Sequence, residues 1–270
     1  MKKALYILSL VITIQSFAQD KPEAQKREQG RYDNNKFSQM YDLMATPNMF
    51  RTASGAPGPA YYQQQADYKM DVELDDKNTR LSGSETITYS NNSPDHLEYL
   101  WLQLDQNQKA PSSPSGLIDS QKMNPAYPPD HFSKNFLEEP KQRGFNIDYV
   151  QDVNGKPMSY TINQTMMRID LPTPLKPGEK ISFSIKWWYN INNYRVEGGR
   201  SGYEHFDKDN NNLYVIAQFY PRMAVYNDVE GWQNMQFWGA GEFALPFGNF
   251  EVNITVPADH IMEEIGRAHV

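Results

Sequence analysis

Tyr68-Lys-Met-Asp-Val-Glu-Leu-Asp-Asp-Lys-Asn-Thr-Arg-Leu-Ser-Gly-Ser-Glu-Thr-Ile-Thr-Tyr89 is the stretch that decides the fold. Tyr68, Met70, Val72 and Leu74 alternate with charged residues, the period-two pattern of a half-buried strand. Asp75-Asp76-Lys77-Asn78 supplies turn chemistry. Leu81, Ile87 and Tyr89, with Thr86 and Thr88, make a returning strand, and Gly83 marks an expected bend.

Outward from this hairpin the alternation persists. Leu97, Tyr99, Trp101 and Gln103 fall on one face and Leu100, Leu102 and Leu104 on the other, so this strand is apolar on both sides and belongs inside a sheet. Residues 109–143 form a Pro/Ser-rich excursion, long enough to point to function or mobility. Strands resume at 145–153, ahead of the hairpin signal Asn154-Gly155, and at 158–162 and 166–171. The turn Pro174–Glu179 leads into Ile181–Tyr189, and strands at Leu213–Phe219 and Phe250–Val256 follow. Helical spacing is confined to Phe37, Met40, Tyr41 and Met44, one short helix. The fold class is all-β: an antiparallel β-sandwich or a saddle-shaped sheet.

The N-terminal end reads as a secretory signal. Met1-Lys2-Lys3, an apolar run from Ala4 to Ile14 and the small-x-small end at Ala18 are its three parts, with cleavage after Ala18. The apolar run falls well short of the ~20 residues that span a bilayer. No later segment reaches that length, so no membrane span is expected after signal removal. The implied location is secreted or periplasmic, in a Gram-negative-like bacterium. Residues 19–60 are polar and then Gly/Pro-rich, a composition that reads as a tether. Residues 61–260 are the β-rich domain. The chain has no cysteine, so stability falls to the hydrophobic core, for which 13% aromatic residues give ample material. A net charge of −7 argues against a nucleic-acid partner, which needs clustered Lys and Arg.

The motifs that carry chemistry are mostly missing. A zinc-hydrolase helix needs two His four apart with a Glu beside them. None of the five histidines (His96, His131, His205, His260, His269) fits that spacing. His260-Ile-Met-Glu-Glu264 fails the inverted pattern, because Glu264 stands where the second His belongs. Asp207-Lys-Asp-Asn-Asn-Asn212 starts like a calcium loop, but its sixth position is Asn212 and its twelfth Gln218, so it reads as a polar hairpin tip. Gly198-Gly-Arg-Ser-Gly202 lacks a phosphate-loop lysine. Trp187, Trp188, Trp232 and Trp238 could stack on sugars, although packing is the commoner use of such residues. Glu204, Glu230 and Glu242 could pair as glycosidase carboxylates, but no motif surrounds them. Asn-x-Ser/Thr sequons occur at Asn91, Asn163 and Asn253.

Ile216-Ala-Gln-Phe-Tyr-Pro-Arg-Met-Ala-Val-Tyr-Asn-Asp-Val-Glu-Gly-Trp232, then Gly241-Glu-Phe243 and Phe250-Glu-Val-Asn-Ile-Thr-Val-Pro257, resemble the aminopeptidase N family of zinc metallopeptidases (gluzincins), in its secreted bacterial branch. The opening hairpin and Leu100-Trp-Leu-Gln-Leu-Asp105 match the same leading domain, so the resemblance covers Tyr61 to Pro257. It implies a β-rich leading domain that walls a substrate cleft and is followed by a catalytic zinc domain. The family's Gly-x-Met-Glu-Asn stretch, His-Glu-x-x-His helix and oxyanion Tyr have no counterpart here. The resemblance therefore assigns no catalytic residue and no metal ligand to this chain. Zinc belongs to the full-length parent, as does hydrolysis of N-terminal residues from peptides. The partners it implies are the missing C-terminal catalytic domain and, in the parent, a peptide substrate. In many members the leading domain lends a Gln or Glu to the substrate's α-amine; Gln218 is the first candidate for that role and Glu204 the second.

The last seven residues, Glu264-Ile-Gly-Arg-Ala-His-Val270, match the translation of a common sequencing-adapter opening, so 264–270 is expected to be a non-native tail. The isolated chain is expected to be inactive, lacking His-Glu-x-x-His. The alternative reading is a non-catalytic secreted β-sandwich module that binds glycan or protein.

Overall fold

β1 (Gln65–Asp75) and β2 (Arg80–Ser90) form the hairpin that the alternation predicts, running from Gln65 opposite Ser90 to Asp75 opposite Arg80. Ala66, Tyr68, Met70, Val72 and Leu74 on one strand and Leu81, Ile87 and Tyr89 on the other are all buried. In the turn, the Asp75 carboxylate accepts from the Asn78 backbone at 3.1 Å and from its side-chain amide at 2.6 Å. Thr79 takes up the left-handed conformation there, with φ of 48°. No β-bulge occurs at Gly83, the position of the expected bend. Both ladders of β2 pass through Gly83 without a register shift, and the glycine instead makes room for the Trp187 indole.

The computed structural model describes residues 47–115, 126, 129, 132, 142–239 and 244–263. The expected signal with Ala18, the helix at 37–44, most of the excursion, Glu242, His131 and the tail at 264–270 lie outside them.

Five strands make the first sheet, in the order β13 (Phe250–Thr255), β1, β2, β7 (Lys180–Asn190), β4 (Asn146–Asp152). Four make the second: β10 (Arg222–Met223), β3 (Leu97–Gln103), β6 (Met166–Leu175) and β5 (Tyr160–Asn163). β3 is an interior strand, as its two apolar faces require. Two short ribbons complete the strands among the described residues: β8 (Gly202–Phe206) with β9 (Asn211–Val215), and β11 (Tyr226–Asn227) with β12 (Gly231–Trp232). A single helical turn, α1 (Tyr194–Glu197), precedes β8.

The domain is thus all-β, and its pairings are antiparallel with one addition: β13 joins β1 in parallel. Gly248 permits that entry. A Cβ there would lie 1.7 Å from the Ala66 carbonyl oxygen, so only glycine lets the chain pass this close. The strand expected over 213–219 ends at Val215, opposite Gly202 where the β8–β9 ladder stops, and Gln218 three residues on has a positive φ. The last part of the segment read as a tether is held down. Arg51 Nε donates to Asp228 at 2.9 Å, and Phe50 packs edge-on to Tyr62 at 5.7 Å.

The two sheets share one core built from their inward residues, with Trp187, Trp232, Tyr89, Tyr189 and Phe183 as its largest fully buried side chains. Burying each such side chain contributes on the order of 2 kcal/mol, which is why a chain without disulfides can hold this shape. The Tyr68 hydroxyl on β1 accepts from the Met223 amide on β10 at 2.9 Å and ties the sheets together.

Candidate functional site

Gln218 lies just past β9, where the chain turns from the β8–β9 ribbon toward β10. Its backbone is left-handed, with φ of 52°, in a residue type with no intrinsic preference for that region. Two neighbours impose it. Gln106 Nε2 donates to the carbonyls of both Ala217 (3.0 Å) and Gln218 (3.1 Å). Ser201 Oγ closes a two-way bond on Ala217, donating to its carbonyl and accepting from its amide, each at 2.7 Å. Gln106 sits on the short 3-10 turn Asp105–Lys109 and is buried, as is Ser201, so the clamp is shielded from competing water. The side chain of Gln218 makes no hydrogen bond to a described residue. It is half-buried and free to present an amide oxygen and an amide N–H.

The next residues anchor this turn. Phe219 and Tyr220 meet at 5.0 Å, Tyr220 stands edge-on to Tyr68 at 5.4 Å, and Phe219 reaches Trp187 at 6.5 Å. Burial pushes the Tyr220 hydroxyl up to about 12, so it stays neutral. Beneath it, Arg222 Nη2 lies 2.6 Å from Asp105 Oδ2 and 3.0 Å from Gln103 Oε1. Burial raises the Asp105 carboxyl, and the Arg222 charge and hydrogen bond work against that rise.

Glu204 takes a different part. It lies opposite Leu213 on the β8–β9 ribbon, and its Oε1 is held by Arg195 of α1, whose Nε donates at 2.6 Å. That ion pair ties α1 to the ribbon, and the carboxylate has no described contact with Gln218.

The other sequence candidates resolve into structural roles. Trp232 is 2% exposed, between Tyr89 and Tyr226 at 6.0 and 5.2 Å, so it presents no sugar platform. Trp188 faces away from Trp187 and lies under the Arg80 guanidinium at 4.1 Å. Asp207–Asn210 is a hairpin tip. Asn212 has both ends of its side chain engaged, its oxygen with His205 (2.8 Å) and its Nδ2 with Asp76 (2.9 Å). His260 sits 3.0 Å from the Asp259 carboxylate. Asn91 is wholly buried, its Nδ2 donating to the Asp95 and Leu175 carbonyls at 2.7 and 3.0 Å, which removes it as a glycosylation acceptor. Among the described residues no group of three or more His, Asp or Glu side chains could hold a metal ion. Two shallow clefts, about 340 and 420 Å³, lie along Gln63, Gln64 and Phe247, and neither is lined by Gln218 or Glu204.

Sequence reading passed over Gln106, Arg222 and Glu85. Glu85 on β2 is 2% exposed and neither carboxylate oxygen has a hydrogen-bond partner. Its signal was present. In the series 81, 83, 85, 87, 89 it occupies an inward position of the alternation.

No family model matches the sequence, and no curated protein matches it. Solved structures similar to the chain include a two-domain M1 zinc metallopeptidase variant bound to L-tryptophan. It shares 15% identity over 75% of this chain and 35% of that one, with a TM-score of 0.36. The M1 zinc metallopeptidase from Deinococcus radiodurans shares 16% identity over 73% of this chain and 32% of its own, with a TM-score of 0.35. The chain spans about a third of the length of these structures.

Proposed function

We propose that the chain is the leading, cleft-forming domain of a secreted zinc aminopeptidase, and that Gln218 receives the free amino end of the peptide substrate. The observation that carries this reading is the Gln218 turn. An unpartnered amide side chain sits on a backbone held in an unfavourable conformation by buried neighbours, and such strain concentrates where a side chain must be aimed. The order of the segments from Tyr61 to Pro257 in the sequence supports it independently. An amide oxygen suits an ammonium group, which offers only donors.

The described residues do not fit zinc, so no step is routed through a metal in this chain. Its own contribution is to orient the substrate: the Gln106 and Ser201 bonds fix the Gln218 backbone, and the aromatic pair Phe219 and Tyr220 keeps that turn seated on the core. Glu204 is the second choice for the amine, and its ion pair with Arg195 weighs against it.

The test is kinetic, in the longer peptidase that the resemblance implies. Gln218→Ala is expected to raise KM for L-aminoacyl-4-nitroanilides about tenfold, the loss of one hydrogen bond to a charged group, with kcat little changed. An unchanged KM rejects Gln218 as the amine ligand. Chelator-sensitive hydrolysis by the present chain alone would reject the division of labour.

A further inference from the structure

We infer that Asn154-Gly155 is a self-modifying site, at which the Gly155 backbone nitrogen displaces ammonia from the Asn154 side chain, and that Asp152 is the clasp that holds this reaction back. The inference is independent of the peptidase reading.

Asn154-Gly155 is the single Asn-Gly pair in the chain. It forms the tip of the turn that leaves β4, and Val153 through Lys156 are all exposed. Gly155 has a left-handed backbone, with φ of 78°, and no atom lies within 4 Å of the place where its Cβ would stand. The approach to its backbone is open on that side. Other asparagines lack this combination. Asn107 and Asn212 have both ends of their side-chain amides bonded, Asn91 is wholly buried, and each precedes a residue that carries a side chain.

The chemistry needs no co-reactant beyond water. The Gly155 amide nitrogen loses its proton to solvent and attacks the Asn154 side-chain carbonyl carbon, Cγ. The new N–Cγ bond closes a five-membered imide, the Cγ–Nδ2 bond breaks, and ammonia leaves with a proton from solvent. Water then opens the imide at either carbonyl, leaving aspartate or isoaspartate at this position.

Asp152 stands against that sequence. Its Oδ1 accepts from the Asn154 amide at 2.8 Å and from the Lys156 amide at 2.9 Å. Its carbonyl accepts from the Gly155 amide at 3.0 Å, and its own N–H donates to the Lys156 carbonyl at 2.9 Å. While these bonds hold, the Gly155 N–H is committed to Asp152, and its nitrogen can neither shed the proton nor turn toward Asn154 Cγ. The bonds from the Lys156 and Asn154 backbones keep the Asp152 carboxyl below its usual range, so it remains an acceptor at neutral pH. Below the tip the hairpin is anchored separately: Met158 is buried, its N–H donates to the Val150 carbonyl at 2.9 Å, and Gln151 bridges Pro157. The opening that the reaction requires is therefore confined to the tip. Isoaspartate lengthens the main chain between Asn154 and Gly155 by one carbon, so a converted turn loses the spacing that closes it.

The test follows the purified chain at mildly alkaline pH by digestion and mass spectrometry. Exchange of amide for acid raises the mass of the peptide 144–168 by one unit, and its aspartyl and isoaspartyl forms separate by chromatography. Conversion is expected at Asn154 and not at Asn146 or Asn163 of the same peptide. The urea-unfolded chain is expected to convert about tenfold faster than the folded one. Folded Asp152→Ala is expected to convert about tenfold faster than folded wild type, the effect of losing hydrogen bonds to a charged acceptor. Asp152→Asn keeps an acceptor oxygen without the charge and is expected to stay near wild type. Should Asp152→Ala fail to fold, Asp152→Asn and the folded-to-unfolded ratio decide. No conversion of Asn154 in the unfolded chain, equal rates for folded wild type and folded Asp152→Ala, or a folded Asp152→Asn that converts as fast as the unfolded chain each overturns the proposal.

Discussion

The indole of Trp187 lies flat across Gly83, so close that a Cβ on Gly83 would meet Trp187 Cζ2 at 2.5 Å. Trp187 is 1% exposed and hemmed in by Phe145, Tyr189 and Phe219 at 5.6, 6.1 and 6.5 Å, so it cannot swing aside. Gly83→Ala therefore overpacks the centre of the first sheet, although β2 would otherwise gain strand propensity from losing a glycine. The variant is expected to be less stable by about 2 kcal/mol in urea unfolding. A Trp187→Leu background is expected to remove most of that penalty, because the clash is with the ring.

Glu85 supplies a pH test. Burial with no partner holds its carboxyl well above the usual carboxylate range, so the folded state keeps a proton that the unfolded state releases from about pH 4.5 upward. Folded protein then binds more protons than unfolded, and stability falls as pH rises above that value. Glu85→Gln keeps the shape and removes the titration. The variant is expected to gain on the wild type by about 2 kcal/mol between pH 5 and pH 7, measured by urea unfolding at each pH. A gap between the two proteins that is flat with pH would show that Glu85 is solvated or paired in solution.

Arg222 and Asp105 form the buried ion pair under the Tyr220 turn. Removing one partner leaves the other charge uncompensated in the interior, a loss of about 3–5 kcal/mol for Arg222→Met. Protonating Asp105 relieves part of that loss, so the variant is expected to be nearer wild type at pH 5 than at pH 7. The double variant Asp105→Asn with Arg222→Met is expected to recover more than half of the stability, read as the coupling in a double-mutant cycle.

What the sequence made legible follows from local chemistry. The alternation at Tyr68–Leu74 and Ile87–Tyr89 locates the central hairpin, and the oxygen-rich run from Asp207 contains the hairpin tip Asp207–Asn210, with Asn211 and Asn212 already in β9. These readings depend only on neighbours in the chain. The parallel entry of β13 was not legible, since it depends on Gly248 passing the Ala66 carbonyl, a contact across most of the domain. The same limit hid the Gln106 clamp, whose partners lie more than a hundred residues away. The close approach at Gly83 is hidden for a related reason: a strand glycine signals a bend or a close approach, and only the position of Trp187 reveals the second. Glu85 was hidden in plain alternation because a carboxylate at an inward position contradicts the rule used to find strands. For the candidate site, Gln218 is an expectation from the sequence, whereas its left-handed backbone is a product of tertiary bonds.

That backbone yields the last prediction. A left-handed conformation disfavours any residue with a Cβ by ~1 kcal/mol, and β-branched residues by more. Gln218→Gly relieves that strain while adding unfolded-state entropy, two effects of similar size and opposite sign. The variant is expected to melt at or slightly above the wild-type temperature. Gln218→Val is expected to melt several degrees lower, since about 1–2 kcal/mol corresponds to roughly 2–8 °C in a domain of this size. Gln106→Leu removes the donor that holds both carbonyls, and it is expected to shrink the difference between Gly and Val at position 218 as the turn relaxes. If Gly and Val at 218 melt alike in the wild-type background, the turn is not held left-handed in solution. The pair also separates strain from function. A position kept as Gln for stability alone has no reason to resist glycine, so a Gln218→Gly protein that is fully stable yet binds peptide amino ends poorly, in the longer peptidase proposed above, would identify the strain as maintained for recognition.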